Sequence, residues 1–201
     1  KYNNKRNFKK TPEPRSRKNV KSNKLIFVVH RHAATRLHFD LRIEHNGVLK
    51  SWPIPKGPSM DPNDKRLAIQ VEDHPLTYAK FEGEIPEGNY GAGEVEIWDS
   101  GFYYYPGMKN ADKREIESKI EKGFKKGHIR LYFEGRKLKG EFSLVKFRTE
   151  KNNTWLFIKY PDEYADEVDE VDVVKEVKPL KQISKPELSK LLNKFNLKSR
   201  P

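Results

Sequence analysis

The stretch His38-Phe39-Asp40-Leu41-Arg42-Ile43-Glu44-His45-Asn46-Gly47-Val48-Leu49-Lys50-Ser51-Trp52 decides the fold. From position 38 it alternates strictly, with His38, Asp40, Arg42 and Glu44 on one side and Phe39, Leu41 and Ile43 on the other. Successive side chains of a strand point to opposite faces, so a strand here buries the apolar set and displays the polar one. Asn46-Gly47 between two such runs is a strong signal for a two-residue hairpin turn. An antiparallel pair of strands, 38–45 and 48–52, is the expectation.

Working outward, further short strands are expected at Leu25–Val29, Arg66–Glu72, Ala79–Glu84, Glu94–Trp98, His128–Phe133, Lys139–Phe147 and Trp155–Tyr160. Pro53, Pro55, Gly57, Pro58, Pro62, Pro75, Pro86, Gly88 and Gly91 punctuate the gaps. One helix interrupts them: from Asn110 as a cap, Ile116, Ile120 and Phe124 recur every four residues until Gly127. Many short strands with frequent turns predict a mainly β protein, a compact antiparallel β-barrel of about eight short strands with a few short helices. Near the end, Ser184-Lys-Pro-Glu187 is a capping box that opens a small amphipathic helix with Leu188, Leu191, Leu192 and Phe195 on one face. That helix docks either on the barrel or on a partner. No internal repeat is visible.

Composition sets the surroundings. A chain of 201 residues can bury one good core and so suggests one domain with appendages. There are no cysteines, which excludes disulfides and thiolate metal sites, so any metal must take nitrogen and oxygen ligands. No apolar stretch approaches the roughly 20 residues of a membrane span and no signal peptide is visible, so a cytoplasmic protein without membrane contact is expected. The net charge of +12 is unevenly spread. Residues 1–24 carry ten Lys or Arg against the single acid Glu13, whereas residues 25–160 carry 23 basic against 19 acidic residues. An acidic run, Asp162, Glu163, Asp166, Glu167, Asp169, Glu170 and Asp172, precedes a lysine-rich end. A basic arm on a weakly basic body is the footprint of a polyanion binder; the plainer reading is a solvated tail.

The displayed row of the first strand reads imidazole, carboxylate, guanidinium. Two of these are ligands for a divalent metal and the third is the preferred partner of a phosphate. His32 lies six residues before His38 and returns as a third ligand if residues 33–36 form a turn. The arrangement suggests phosphoryl chemistry; the alternative is a polar face that merely meets solvent. Trp52-Pro-Ile-Pro55-Lys56-Gly57-Pro58-Ser59 is a stiff loop that either holds Lys56 in place or leaves it solvated. His74 beside Asp73 is either an oriented acid–base or phosphate-binding imidazole, or simply part of the turn that closes a strand. The glycines of Phe81-Glu-Gly83-Glu-Ile-Pro86-Glu-Gly88-Asn-Tyr90-Gly91-Ala-Gly93 are read as tight barrel turns, because no helix follows to make a phosphate cradle.

Taken in order, His32-x5-His38-Phe-Asp40-Leu-Arg42, Trp52-Pro-Ile-Pro-Lys56-Gly-Pro-Ser, Arg66-Leu-Ala, Glu72-Asp-His74-Pro-Leu-x-Tyr78 and Phe81-Glu-Gly-x-Ile-Pro-x-Gly-x-Tyr90-Gly-x-Gly resemble the 3′-phosphoesterase module of bacterial DNA ligase D and its stand-alone relatives. Lys5-Arg6-Asn7-Phe8-x-x-Thr11-Pro-Glu13-Pro14 and Trp155-Leu-Phe-Ile-Lys159 match it too, so the resemblance covers about residues 5–165. It implies a barrel that binds Mn²⁺, or another divalent ion such as Zn²⁺ or Co²⁺, and heals 3′ ends in DNA repair. Such an enzyme removes a terminal 3′ ribonucleoside as a phosphodiesterase and then the 3′-phosphate as a phosphomonoesterase. Carried over, the metal ligands are His32, His38 and Asp40, and Arg42, His74 and Tyr78 contact the scissile phosphate. Lys56, Arg66, Glu72, Arg6 and Glu13 match further substrate-binding positions, as does His30 with a changed residue. Two positions depart from the pattern: Asn7 stands where Asp is usual, and His30 where Gln is frequent. These leave the balance between diester and monoester cleavage open.

The implied organisation is a basic arm over residues 1–24 that contributes site residues, a phosphoesterase barrel over 25–162, and an acidic linker with a short helix over 163–201. The implied partners are DNA or RNA/DNA 3′ ends of primer–template duplexes, with ligase, polymerase or Ku proteins of end joining as assembly partners; a monomer is expected. Two other classes stay in view. A non-catalytic nucleic-acid-binding barrel would use the arm and the aromatics Phe102, Tyr103, Tyr104 and Tyr105 without a metal. A metal-dependent hydrolase of small phosphate esters would need neither Arg6, Glu13 nor the arm.

Overall fold

The computed structural model describes residues 2–6, 8, 11–14, 22–147 and 153–166. All of them fall in one compact unit, Lys1–Val171. The helix expected from Ser184 and most of the acidic run lie outside the described residues, as does Asn7.

The strands are β1 (Leu25–Ala33), β2 (Leu37–His45), β3 (Val48–Ile54), β4 (Arg66–Ile69), β5 (Gly83–Ile85), β6 (Gly93–Tyr104), β7 (His128–Glu134), β8 (Lys139–Phe147) and β9 (Thr154–Lys159), with one α-helix, α1 (Lys113–Lys126). Every pairing is antiparallel, in the order β3-β2-β1-β6-β7-β8-β9-β4, and β5 adds to β6. This is the expected antiparallel barrel, nearly closed. The β2–β3 turn is the predicted one: Asn46 and Gly47 take φ of 49° and 77°, and His45 pairs with Val48. Those two angles fit a primed hairpin turn, whose twist matches the strands.

Closure occurs where the sequence suggested a longer fourth strand. β4 stops at Ile69 because the chain then changes partner: Gln70 N–H donates to Asn153 O beside β9, and Val71 N–H donates to Ser51 O on β3. Leu49 and His74 then exchange both backbone hydrogen bonds, at 2.8 and 2.9 Å. The segment that closes the barrel therefore also delivers His74 beside Ser51.

The expected strand over 79–84 is instead a 3-10 turn, Leu76–Lys80, followed by the three residues of β5. Pro75 fixes the entry, and Tyr78 and Phe81 donate back to Pro75 O and Tyr78 O. α1 is capped by Asp112, two residues later than expected, because its carboxylate accepts from Arg114 N at 2.8 Å; left-handed Gly127 ends it. The helix buries Ile116 and Ile120, and the Phe124 ring lies 6.1 Å from those of Trp52 and Trp155.

Inside the barrel the apolar set of β2, Phe39, Leu41 and Ile43, meets Phe27, Val29 and Trp52 as the alternation predicts. The opposite face departs from expectation. Asp40, Arg42 and Glu44 are not displayed; each is at most 4% exposed. A second layer lies on this face, in which Tyr2, Tyr78, Ala79, Phe81 and Ile85 pack on Val28, Leu49 and Val95; Tyr78 meets Arg42, and Lys113 from α1 pairs with Glu44. Strand alternation shows which residues share a face but not what later covers that face. Among the described residues no helix is long and apolar enough to cross a membrane.

Candidate active site

The β1–β2 pairing sets His32 opposite His38 and His30 opposite Asp40. The connection Ala34–Arg36 is short enough for His32 to return beside His38, as the sequence required. Opposed residues on one face stand within reach of each other, and one ligand atom from each of His32, His38 and Asp40 lies within 4.8 Å of the others. His32 Nδ1 is 3.6 Å from Asp40 Oδ2, and His38 Nε2 is 3.5 Å from Asp40 Oδ1.

The outward nitrogens of both rings are tied down. His32 Nε2–H donates to Gly91 O and His38 Nδ1–H donates to Arg36 O, each at 2.9 Å. A carbonyl oxygen only accepts, so each outward nitrogen carries a proton, and the inward nitrogens, His32 Nδ1 and His38 Nε2, face Asp40. They face a carboxylate that burial alone would push up, but that the Arg42 charge and then the two imidazoles hold well below its usual range. Two imidazole nitrogens and a carboxylate that converge on one place can hold a cation, and backbone carbonyls on the far nitrogens are the usual outer shell of a metal-binding histidine. The donor set fits a divalent ion of the Mn²⁺ or Zn²⁺ type.

Arg42 organises the next row. Its Nη2 donates to Asp40 Oδ2 at 2.8 Å, Nη1 to Ser51 Oγ at 2.9 Å and Nε to His30 Nδ1 at 3.3 Å, and its guanidinium lies 4.7 Å from the Tyr78 ring centre. Arg6 reaches the same place from the N-terminal segment. Nε donates to Glu13 at 2.8 Å, Nη1 to Tyr2 O and to Glu72, and Nη2 to His74 Nε2 at 3.1 Å. Since a guanidinium only donates, His74 Nε2 accepts and its proton sits on Nδ1, directed at Glu72 O at 2.9 Å. Burial first, and then the charges of Arg42 and Arg6, hold the His74 pKa down to about 2, so the ring is neutral. Glu13 is buried and also accepts from Thr11 Oγ1; Glu72 accepts from Lys5 at 2.9 Å.

The structure thus brings together His32, His38, Asp40, Arg42, His74, Tyr78, Arg6, Glu13 and Glu72. His30 lies beneath them, fully buried behind Arg42 and 5.6 Å from the Tyr78 ring, with its pKa pushed by burial and Arg42 down to about 3. Lys56 is exposed in the turn that follows β3. Arg66 begins β4 and donates to Asp64 at 2.6 Å. Sequence reasoning did not single out Ser51, which touches both Arg42 and His74 (3.3 Å), nor Tyr2, whose ring packs 4.9 Å from His74 and 3.9 Å from the Arg6 guanidinium. Ser51 was within reach: a two-residue turn at 46–47 sets 45 against 48, and therefore 42 against 51.

Donors for a divalent ion beside two buried guanidiniums suit a phosphate ester. A family model described as the DNA Ligase D 3′-phosphoesterase domain matches residues 30–146, and the chain belongs to that family. It is 46% identical over 167 residues to the multifunctional non-homologous end joining protein LigD of Pseudomonas aeruginosa, covering 82% of this chain and 19% of that protein. It is 37% identical over 164 residues to the protein of the same name from Mycolicibacterium smegmatis, covering 81% of this chain and 20% of that one. To the Mycobacterium tuberculosis LigD repair protein it is 50% identical over 103 residues, 51% of this chain and 14% of the other. The chain therefore spans about a fifth or less of the length of these relatives.

Proposed function

We propose that this chain is a divalent-metal-dependent phosphoesterase that heals 3′ ends of DNA or RNA/DNA during break repair. It removes a terminal ribonucleoside and then the 3′-phosphate, leaving a hydroxyl for a polymerase or ligase. The observation that carries the reading is the convergence of the His32, His38 and Asp40 ligand atoms beside Arg42 and Arg6. His32, His38 and Asp40 would hold the ion, which when bound supplies charge neutralisation at the phosphate and a more acidic water.

Of the five N–H groups of Arg42, three are spent on His30, Ser51 and Asp40, which leaves two for phosphate oxygens. Holding Asp40 and gripping phosphate with one guanidinium fixes the substrate relative to the metal donors. Lysine has no second arm for this. His74 waits neutral between Arg6 and Arg42; a bound phosphate would draw those cations to itself, and its charge would favour protonation of the ring. In that state His74 would stabilise the transition state and hand a proton to the departing oxygen, with Tyr78 beside it. The N-terminal segment acts as part of the enzyme, since Arg6, Glu13 and Tyr2 close over the site. Lys56 and Arg66 would meet the nucleic acid farther from the scissile bond.

The test is a 5′-labelled primer–template ending in one ribonucleotide, incubated with and without Mn²⁺ and resolved on a denaturing gel. Metal-dependent conversion to a 3′-phosphate and then a 3′-hydroxyl is expected. A stop at the phosphate would restrict the chain to diester cleavage and direct attention to Asn7 and His30. Binding without any cleavage would leave a nucleic-acid-binding barrel.

A further inference from the structure

We infer that Tyr90 forms a nucleobase-binding subsite, stacking on the base of the terminal nucleotide while its phosphate lies at the His32–His38–Asp40 triad. The inference rests on the proposed end-healing activity and adds to it a specificity-determining contact.

Tyr90 is 53% exposed and stands beside the buried site through Lys5 and Arg6. It is carried by the turn between β5 and β6, which is fastened to the metal donors. The carbonyl of the next residue, Gly91, is the one that holds His32 Nε2–H. The turn is itself rigid: Asn89 N–H and Asn89 Nδ2 both donate to Pro86 O, and Ala92 N–H donates to Asn89 O. Its far end presses on β1 so closely that a Cβ at Gly93 would stand 2.3 Å from Ala33 O. Tyr90 is therefore one residue away from the outer shell of a metal donor, on backbone that cannot swing freely.

Its neighbours complete the case. Lys5 Nζ lies 4.5 Å from the ring centre and 3.4 Å from the hydroxyl, and the Arg6 guanidinium lies 5.8 Å from the ring. Lys5 and Arg6 are both held by Glu72, and Arg6 by Glu13 as well, so the cations stay beside the ring. A half-exposed ring with fixed cations over it is a combination with which proteins bind single-stranded nucleic acid, the ring's open surface taking a base and the cations the backbone. Among the described residues, the other exposed large apolar side chains are Phe102, Tyr160 and Tyr164, and none adjoins a residue bonded to the triad. Stacking tolerates any base, so the contact would select an end that carries a base without selecting its sequence.

The experiment uses the full chain with Mn²⁺ and two probes. The first is a primer–template whose 3′-terminal residue is 2-aminopurine riboside, joined by a non-hydrolysable methylene-phosphonate link, so that stacking is read as fluorescence quenching without turnover. The second is steady-state cleavage of ordinary ribonucleotide ends and of ends whose terminal sugar lacks a base. Tyr90→Ala should lose the quenching and raise KM on base-bearing ends by roughly ten- to a hundredfold. Tyr90→Phe and Tyr90→Trp should restore both, and the ratio of wild type to Tyr90→Ala should fall toward one on the base-free end. Wild-type quenching and KM in Tyr90→Ala would overturn the stacking while leaving the end-healing activity in place. Quenching that depends on Tyr90 in a protein that cleaves neither end would uphold the subsite and overturn the phosphoesterase reading.

Discussion

Two arginine–carboxylate pairs on the outside of the same barrel make opposite use of similar chemistry. On β7 and β8, Arg130 grips Glu141 through Nε and Nη2 at 2.6 and 2.9 Å, and the arginine side chain is 41% exposed. On β2, Arg42 holds Asp40 with a single bond at 2.8 Å, both side chains are at most 6% exposed, and two imidazoles crowd the same carboxylate. The first pair is satisfied by itself. The second is buried, shared and geometrically incomplete, which is costly for a pair whose only role is stability. Strongly shifted titratable groups gather around it, Asp40, His74 and His30 among them, whereas beside Glu141 the shifted groups, Lys159 and Asp162, are already paired with each other. Perturbed groups converging on one place mark chemistry.

The largest effect is expected at Asp40. Asp40→Ala should reduce cleavage to background and abolish Mn²⁺ binding measured by calorimetry, with the circular dichroism spectrum unchanged; full turnover with normal metal content would remove the triad from the mechanism. Arg42 comes next. Arg42→Ala strands a buried carboxylate and should cost roughly 3–5 kcal/mol in urea unfolding of the metal-free protein. Arg42→Lys should keep the charge but lose about a hundredfold in kcat, because one ammonium cannot serve Asp40, Ser51 and phosphate together. Equal activity in the lysine variant would show that charge alone suffices.

His74 offers a sharper and smaller test through pH. Its folded pKa is depressed to about 2 from 6.5, so below pH 6.5 the unfolded chain binds the extra proton and the folded chain does not. Its stabilising effect is thus complete above pH 6.5 and shrinks as pH falls toward the folded value. The slope is on the order of 1 kcal/mol per pH unit. In the metal-free protein His74→Gln should flatten the acid limb of the stability curve by that amount; an unchanged limb would mean that the ring is already charged. Smallest of all is Arg130→Ala, which should shift stability by less than about 1 kcal/mol and leave cleavage untouched. A loss of activity there would erase the distinction between the two pairs.

Much of this protein was written locally. The alternation through 38–44 fixed which side chains share a face, Asn46-Gly47 fixed the register, and together they placed His38, Asp40 and Arg42 in one row. His32 joined them because a three-residue connection leaves only one way back. What the sequence by itself could not determine was everything set by contacts distant in the chain. The fourth strand ended early because Val71 found a partner on β3, and that exchange placed His74 at Ser51. Arg6, Glu13 and Tyr2 precede β1 in a basic segment indistinguishable by composition from a solvated tail, yet Arg6 and Tyr2 pack against Glu72 and His74, some seventy positions later, and buried Glu13 holds Arg6. Periodicity records the preference of each residue for its own strand face. Burial of the polar row, the neutral state of His74 and the bond from His32 to Gly91 O depend on which distant groups arrive to cover and bond them, and that is settled only when the chain is folded.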